Sequence, residues 1–116
     1  MGIKHNQLDK IECFPLKKIP VDGGNVMHCV KNCDEGFDGF GEAYFSWIEP
    51  NSVKAWKKHL KMTMNLIVPV GEVKFVFYCS ENKKFRVEKI GEENYSRIKV
   101  PHGIWFGFMG INSKES

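Results

Sequence analysis

A chain of 116 residues has room for one hydrophobic core and not for two. With 42% hydrophobic and 13% aromatic residues, nine of them Phe, its composition is that of a globular protein. The net charge of +3 comes from 17 basic and 14 acidic side chains that are interspersed, which excludes a clustered nucleic-acid footprint and leaves a mild bias toward anionic small molecules.

In chain order, Met1-Gly2-Ile3-Lys4-His5 lacks the apolar run of a signal peptide, and no segment approaches the length of a membrane span. The expected location is therefore cytoplasmic, with free thiols at Cys13, Cys29, Cys33 and Cys79. Runs of β-type residues bounded by Gly, Pro, Asn and Asp predict strands at Ile11 to Leu16, Asn25 to Lys31, Phe40 to Ile48, Lys54 to His59 and Asn65 to Val70. Further strands are predicted at Glu72 to Cys79, Phe85 to Ile90, Tyr95 to Val100 and Ile104 to Met109. Asp22-Gly23-Gly24, Glu49-Pro50-Asn51 and Glu81-Asn82-Lys83-Lys84 supply the breaks between them. So many strands in this length, without an amphipathic helix longer than two turns, predict an all-β sandwich or barrel. Val73, Phe75 and Phe77 share one strand face, while Lys74, Val76 and Tyr78 make a mixed face suited to a second sheet or a partner subunit.

Cys29-x3-Cys33 beside His28 has residue types that zinc uses, but the group lies on an expected strand without a second ligand pair. A more informative spacing runs from Lys57 to Gly71, which resembles the first cupin motif: His-x-His, four residues, Glu, six residues, Gly. Lys57 stands at the first histidine, His59 at the second, Met64 at the glutamate and Gly71 at the glycine. Pro101-His102-Gly103-Ile104-Trp105-Phe106 resembles the second motif, Pro-x-Gly-x-x-His, with Phe106 in the final place. A transition-metal site needs three or four converging nitrogen, oxygen or thiolate donors. One imidazole is left, so neither a metal nor another cofactor is expected.

Longer phrases resemble the nucleotide-sugar branch of the cupins, the dTDP-4-dehydrorhamnose 3,5-epimerases and dTDP-sugar 3,4-ketoisomerases. They are Phe40-Gly41-Glu42-Ala43-Tyr44-Phe45-Ser46, Val53-Lys54-Ala55-Trp56-Lys57-Lys58-His59, Asn65-Leu66-Ile67-Val68-Pro69-Val70-Gly71-Glu72-Val73, Glu93-Asn94-Tyr95 and Val100-Pro101-His102-Gly103-Ile104-Trp105-Phe106-Gly107-Phe108. The resemblance implies a single cupin domain over residues 1–116, folded as a double-stranded β-helix or jelly-roll barrel. It also implies a homodimer that shares strands and acts without metal on a dTDP-linked 4-keto-6-deoxy sugar. Where ketoisomerases carry Arg-Gly-x-His-x-His-Lys, this chain has Lys54-Ala55-Trp56-Lys57-Lys58-His59-Leu60. Lys54 then stands where an arginine meets the pyrophosphate, and Lys57 replaces a histidine. Family members continue past the Pro-x-Gly hairpin into a further strand, whereas this chain stops at Asn112-Ser113-Lys114-Glu115-Ser116, leaving truncation of the C-terminus open.

Epimerisation beside a ketone removes a carbon-bound proton and returns one on the opposite face through an enolate. The pocket must supply a base and a group that stabilises the enolate oxygen. His59 is the candidate base, because imidazole is the side chain that exchanges protons near neutral pH. Lys57 or Lys61 is the candidate for the enolate oxygen, since strand alternation places positions 57, 59 and 61 on one face. Glu42, Tyr44 and Ser46 alternate along the expected Phe40 to Ile48 strand, and Tyr44 is the first candidate to return the proton, ahead of Tyr78. Lys54, Lys61, Trp56, Glu42, Ser46 and His28 complete the candidate substrate-binding set. Each has a structural alternative: a solvated lysine face, a core tryptophan, or a hydrogen-bonded core histidine at position 28. The expected function is a metal-independent sugar-nucleotide epimerase with a nucleotide-sugar partner and no nucleic-acid or membrane partner. The alternative is a non-catalytic cupin module that binds a sugar nucleotide or another protein.

Overall fold

The computed structural model describes residues 7–111 and 114–116. Residues 1–6 and 112–113, which belong to the expected 1–116 domain and to the two chain ends read above, lie outside the described residues. After a 3-10 turn at Gln7–Lys10 come β1 (Glu12–Pro15), β2 (Lys18–Ile19), β3 (Val26–Met27), β4 (Val53–Lys58), β5 (Met64–Ile67), β6 (Glu72–Cys79), β7 (Lys84–Gly91), β8 (Ser96–Val100) and β9 (Trp105–Gly110). The fold is all-β. One sheet has the order β1-β8-β5, the other β4-β9-β6-β7, and β2 and β3 form a separate small ribbon. Every ladder between these strands is antiparallel.

Alternation builds the core. Val73, Phe75, Phe77 and Cys79 of β6 are buried while the residues between them are half-buried. Pairing sets Phe77 against Phe106 and Phe75 against Phe108 of β9. Across from this face lie Ile98 and Val100 of β8, flanked by Met64 and Leu66 of β5, so both sheets close on one apolar cluster. On β7 the inner positions opposite Phe75 and Phe77 are Glu88 and Arg86. These two form an ion pair at 3.1 Å, and Arg86 Nη1 donates to the Leu8 and Ile11 carbonyls at 2.7 and 2.9 Å. A charged strand thereby tethers the N-terminal turn and buries Leu8 and Ile11.

Three of the sequence expectations are corrected. Residues 40–48 form no strand: Tyr44 is 66% and Phe45 96% exposed, and only Ile48 reaches the core. Aromatic and β-compatible composition makes a segment fit a pleated surface, but pairing needs a free edge beside it, and among the described residues it has no ladder. The expected Asn25 to Lys31 strand contracts to Val26–Met27, paired with β2, which the sequence did not distinguish. The strand expected to reach Val70 ends at Ile67, before Pro69, whose missing N–H cannot serve a ladder.

Candidate functional site

β4 carries Lys54 and Lys57, both exposed, and Lys58, half-buried. Its pairing with β9 sets Lys54 against Phe108 and Lys57 against Phe106, with a register shift between the two lysines. Residues directly opposite on an antiparallel pair share a sheet face. Lys54 and Lys57 therefore both project on the face that bears Phe106 and Phe108, although they are three positions apart. Gly107 permits the close approach, because a Cβ there would lie 2.7 Å from Ala55 Cβ. Lys54 Nζ donates to the Trp47 carbonyl at 2.7 Å and to Ser46 Oγ at 3.3 Å, which ties the exposed 40–47 segment to β4.

His59 follows directly after β4, and two contacts fix it. Its carbonyl accepts the Gly103 N–H at 2.7 Å, from a turn that glycine makes with φ +85°. Its ring stacks on Phe106 with centroids 5.8 Å apart and an interplanar angle of 25°. The two motif segments read from the sequence, 57–71 and 101–106, thus meet at one imidazole. Nε2 of that ring is buried and has no hydrogen-bond partner. Buried polar atoms are ordinarily satisfied, so an unsatisfied one calls for an explanation, and a catalytic role is one of those available.

The other candidates are placed elsewhere. Trp56 lies against Tyr78 and Phe85, at 6.5 Å from each, on the sheet face opposite Phe77 and Phe106, where Lys58 also covers Trp105 at 4.8 Å. That face excludes Trp56, and Tyr78 with it, from the His59 group. Lys61 is exposed and borders a depression of about 290 Å³ with Asp38, Phe40 and Thr63. Alternation over 57, 59 and 61 fails because β4 ends at Lys58. Glu42 and Tyr44 are exposed on the unpaired segment, and Ser46 joins the group only through Lys54. His28 borders a separate cavity of about 450 Å³. Its carbonyl accepts the Tyr95 hydroxyl at 2.7 Å. Burial pushes the Tyr95 phenol up to about 12, and the neighbouring Cys29 adds to the shift. Among the described residues no three His, Cys, Asp or Glu side chains come together as a metal-binding group.

Known structures share this arrangement of strands. A dTDP sugar isomerase from Desulfovibrio desulfuricans G20 is 32% identical and superposes with a TM-score of 0.86, covering 90% of this chain and 71% of its own. The chain belongs to the dTDP-sugar isomerase family. A probable low-salt glycan biosynthesis epimerase of Haloferax volcanii is 30% identical over 80 residues, 64% of this chain. The match spans 51% of the Haloferax protein, so this chain corresponds to about half of it. A spore coat polysaccharide biosynthesis protein of Bacillus subtilis is 26% identical over 106 residues, 87% of this chain and 70% of its own. A sugar 3,4-ketoisomerase from Thermoanaerobacterium thermosaccharolyticum, solved with TDP, shares the fold at 15% identity with a TM-score of 0.72, across 90% of this chain and 74% of its own. No family model matches the chain. Among the described residues no helix is long and apolar enough to cross a membrane.

The residue that sequence reasoning missed is Arg97. It is 2% exposed on β8, bonded to Asn65 and to the Glu35 carbonyl, and it lies over the Phe14 ring. An arginine alternating with Ile98 and Val100 reads as solvent-facing, and nothing in the strand pattern shows that residues 28–37 fold across it.

Proposed function

We propose that this chain is a jelly-roll sugar-nucleotide epimerase or isomerase module that moves a proton beside the ketone of a dTDP-4-keto-6-deoxyhexose. The observation that carries the reading is the buried, unpartnered Nε2 of His59 at the meeting point of both motifs, one residue beyond the strand that bears Lys54 and Lys57. In the proposed step the Nε2 lone pair takes the proton from the carbon next to the ketone, and the released electron pair forms an enolate. The Lys57 ammonium stabilises the enolate oxygen. The proton for the opposite face of the carbon is assigned to Tyr44, which is 66% exposed on the segment that Lys54 ties to β4 and must swing over the bound sugar to deliver it, and the proton held by His59 returns to the tyrosinate through solvent. Lys54, with Ser46, takes the pyrophosphate. Every group in this step belongs to the chain. Trp56 and His28 have no part in it.

The homodimer expectation is retained as part of the proposal. Its support is the exposed apolar run of Phe40, Tyr44, Phe45 and Trp47, close together in sequence, since clustered exposed aromatics are a feature of interaction surfaces. Sedimentation equilibrium tests it.

Incubation with dTDP-4-keto-6-deoxyglucose in D2O tests the chemistry. Deuterium entering beside the ketone, and lost in His59→Asn, supports the enzyme. Binding of the sugar nucleotide without exchange in the wild-type chain assigns a binding module instead.

A further inference from the structure

The second cavity lies on the opposite side of the three-stranded sheet. Ile98 and Val100 of β8 point into the core, so Arg97, directly before Ile98, points away, together with its ladder partner Phe14. The 28–35 segment folds over this side and borders an open cavity of about 450 Å³, a volume in the range of small-molecule sites. Phe14, Lys17, Lys31 and Arg97 contribute to its wall.

Arg97 is a fully charged group at almost complete burial. Its guanidinium has five N–H donors, yet its hydrogen-bond acceptors are an amide oxygen, Asn65 Oδ1, and a backbone carbonyl, that of Glu35. Both are neutral. Its Nε is buried and has no partner. None of the ion pairs among the described residues includes Arg97. Of the two acids in the wall, Asp34 accepts the Lys31 N–H at 2.7 Å, and Glu35 reaches Arg97 only with its backbone. A buried charge with neutral acceptors alone is unfavourable, and an anion restores the balance. Guanidinium groups bind phosphoryl oxygens through paired N–H donors, and the ammonium groups of Lys17 and Lys31 lie on the same cavity.

We propose that this cavity is a second ligand site, separate from the His59 group, that binds the phosphoryl group of a small molecule through Arg97, Lys17 and Lys31. The room beyond one oxyanion, lined by Phe14, Leu16 and Val30, accommodates the body of a phosphorylated sugar or nucleoside. The proposal does not depend on the catalytic reading.

Thermal unfolding and titration calorimetry on the full chain test it, with inorganic phosphate and a sugar phosphate as probes and chloride at matched ionic strength as reference. Both probes are expected to raise the melting temperature above the chloride control. Equal affinities assign the site to free phosphate, and tighter binding of the sugar phosphate assigns it to the larger ligand. Arg97→Leu is expected to abolish the effect. If that variant fails to fold, Lys17→Glu combined with Lys31→Glu decides, with an expected affinity loss of about tenfold or more. His59→Asn is expected to retain binding, which separates this site from the catalytic one. No shift in the wild type, or an undiminished shift in the double lysine variant, overturns the proposal.

Discussion

Replacing His59 with leucine is expected to make the protein more stable and inactive at once. Leaving a buried polar atom without a partner costs about 1–3 kcal/mol, and Nε2 is such an atom. Leucine removes that penalty with a similar volume, but gives up the ring pair with Phe106, worth about 0.5–1.5 kcal/mol. The net expectation is a gain of about 1 kcal/mol. For 116 residues the unfolding entropy is about 0.24 kcal/mol/K, so the melting temperature rises by about 4 °C. His59→Asn gives the opposite sign, since it loses the ring and keeps a polar group in the same place, and its midpoint falls by a similar amount. Calorimetry of the three proteins at neutral pH measures both shifts, and deuterium exchange measures the activity. Equal destabilisation by leucine and asparagine would refute the reasoning, because it would show that the imidazole nitrogen has a structural partner.

Gly107→Ala is expected to lower stability by about 1–3 kcal/mol, since the new methyl would sit 2.7 Å from Ala55 Cβ and force β4 away from β9; urea denaturation reads the loss. Arg86→Met removes the donors to the Leu8 and Ile11 carbonyls and is expected to cost about 2 kcal/mol, with amide exchange accelerated first around residues 7–11. The hydrogen bond from Lys114 and the Gly71 N–H hold the Glu92 carboxyl below its usual range. A carboxyl lowered in the folded state contributes stability above its ordinary range, and that contribution is lost as pH falls through the folded value. Glu92→Gln is accordingly expected to flatten the acid limb of a stability–pH curve. Tyr95 acts at the other end: its phenol is raised to about 12, so its contribution is complete below about 10 and disappears as pH rises from there to about 12. Tyr95→Phe, which cannot ionise, should show a shallower alkaline loss in the same measurement.

The strands that bury one face and pair with a neighbour in the sequence were legible. Glu72–Cys79 is found with the expected bounds, because its alternation is strict and its hairpin partner follows at once. The strands expected at 54–59, 85–90, 95–100 and 104–109 are found within one residue at each end. Residues 40–48 were misread because propensity describes how side chains fit a sheet and says nothing of whether an edge is available. The two spaced motifs were legible, but the stacking of His59 on Phe106, which sets a residue of one beside a residue of the other, was not read from them. Trp56 was placed in the pocket by its neighbours in sequence, but an odd number of strand positions from the inner face carries it outward. Arg97 was illegible for a different reason. What buries it is a loop from the other end of the chain, and loop trajectories leave no periodic signal.

The slip in pairing between β4 and β9 matters beyond local geometry. In a regular ribbon, side chains separated by an odd interval diverge, so two cations at 54 and 57 would sit on opposite surfaces and only one could act on a bound anion. One surplus residue reverses that parity. The charge carried by that sheet face is therefore set by chain length as much as by residue identity, and excising a single amino acid between the lysines would turn one positive charge to the other face without altering either of them.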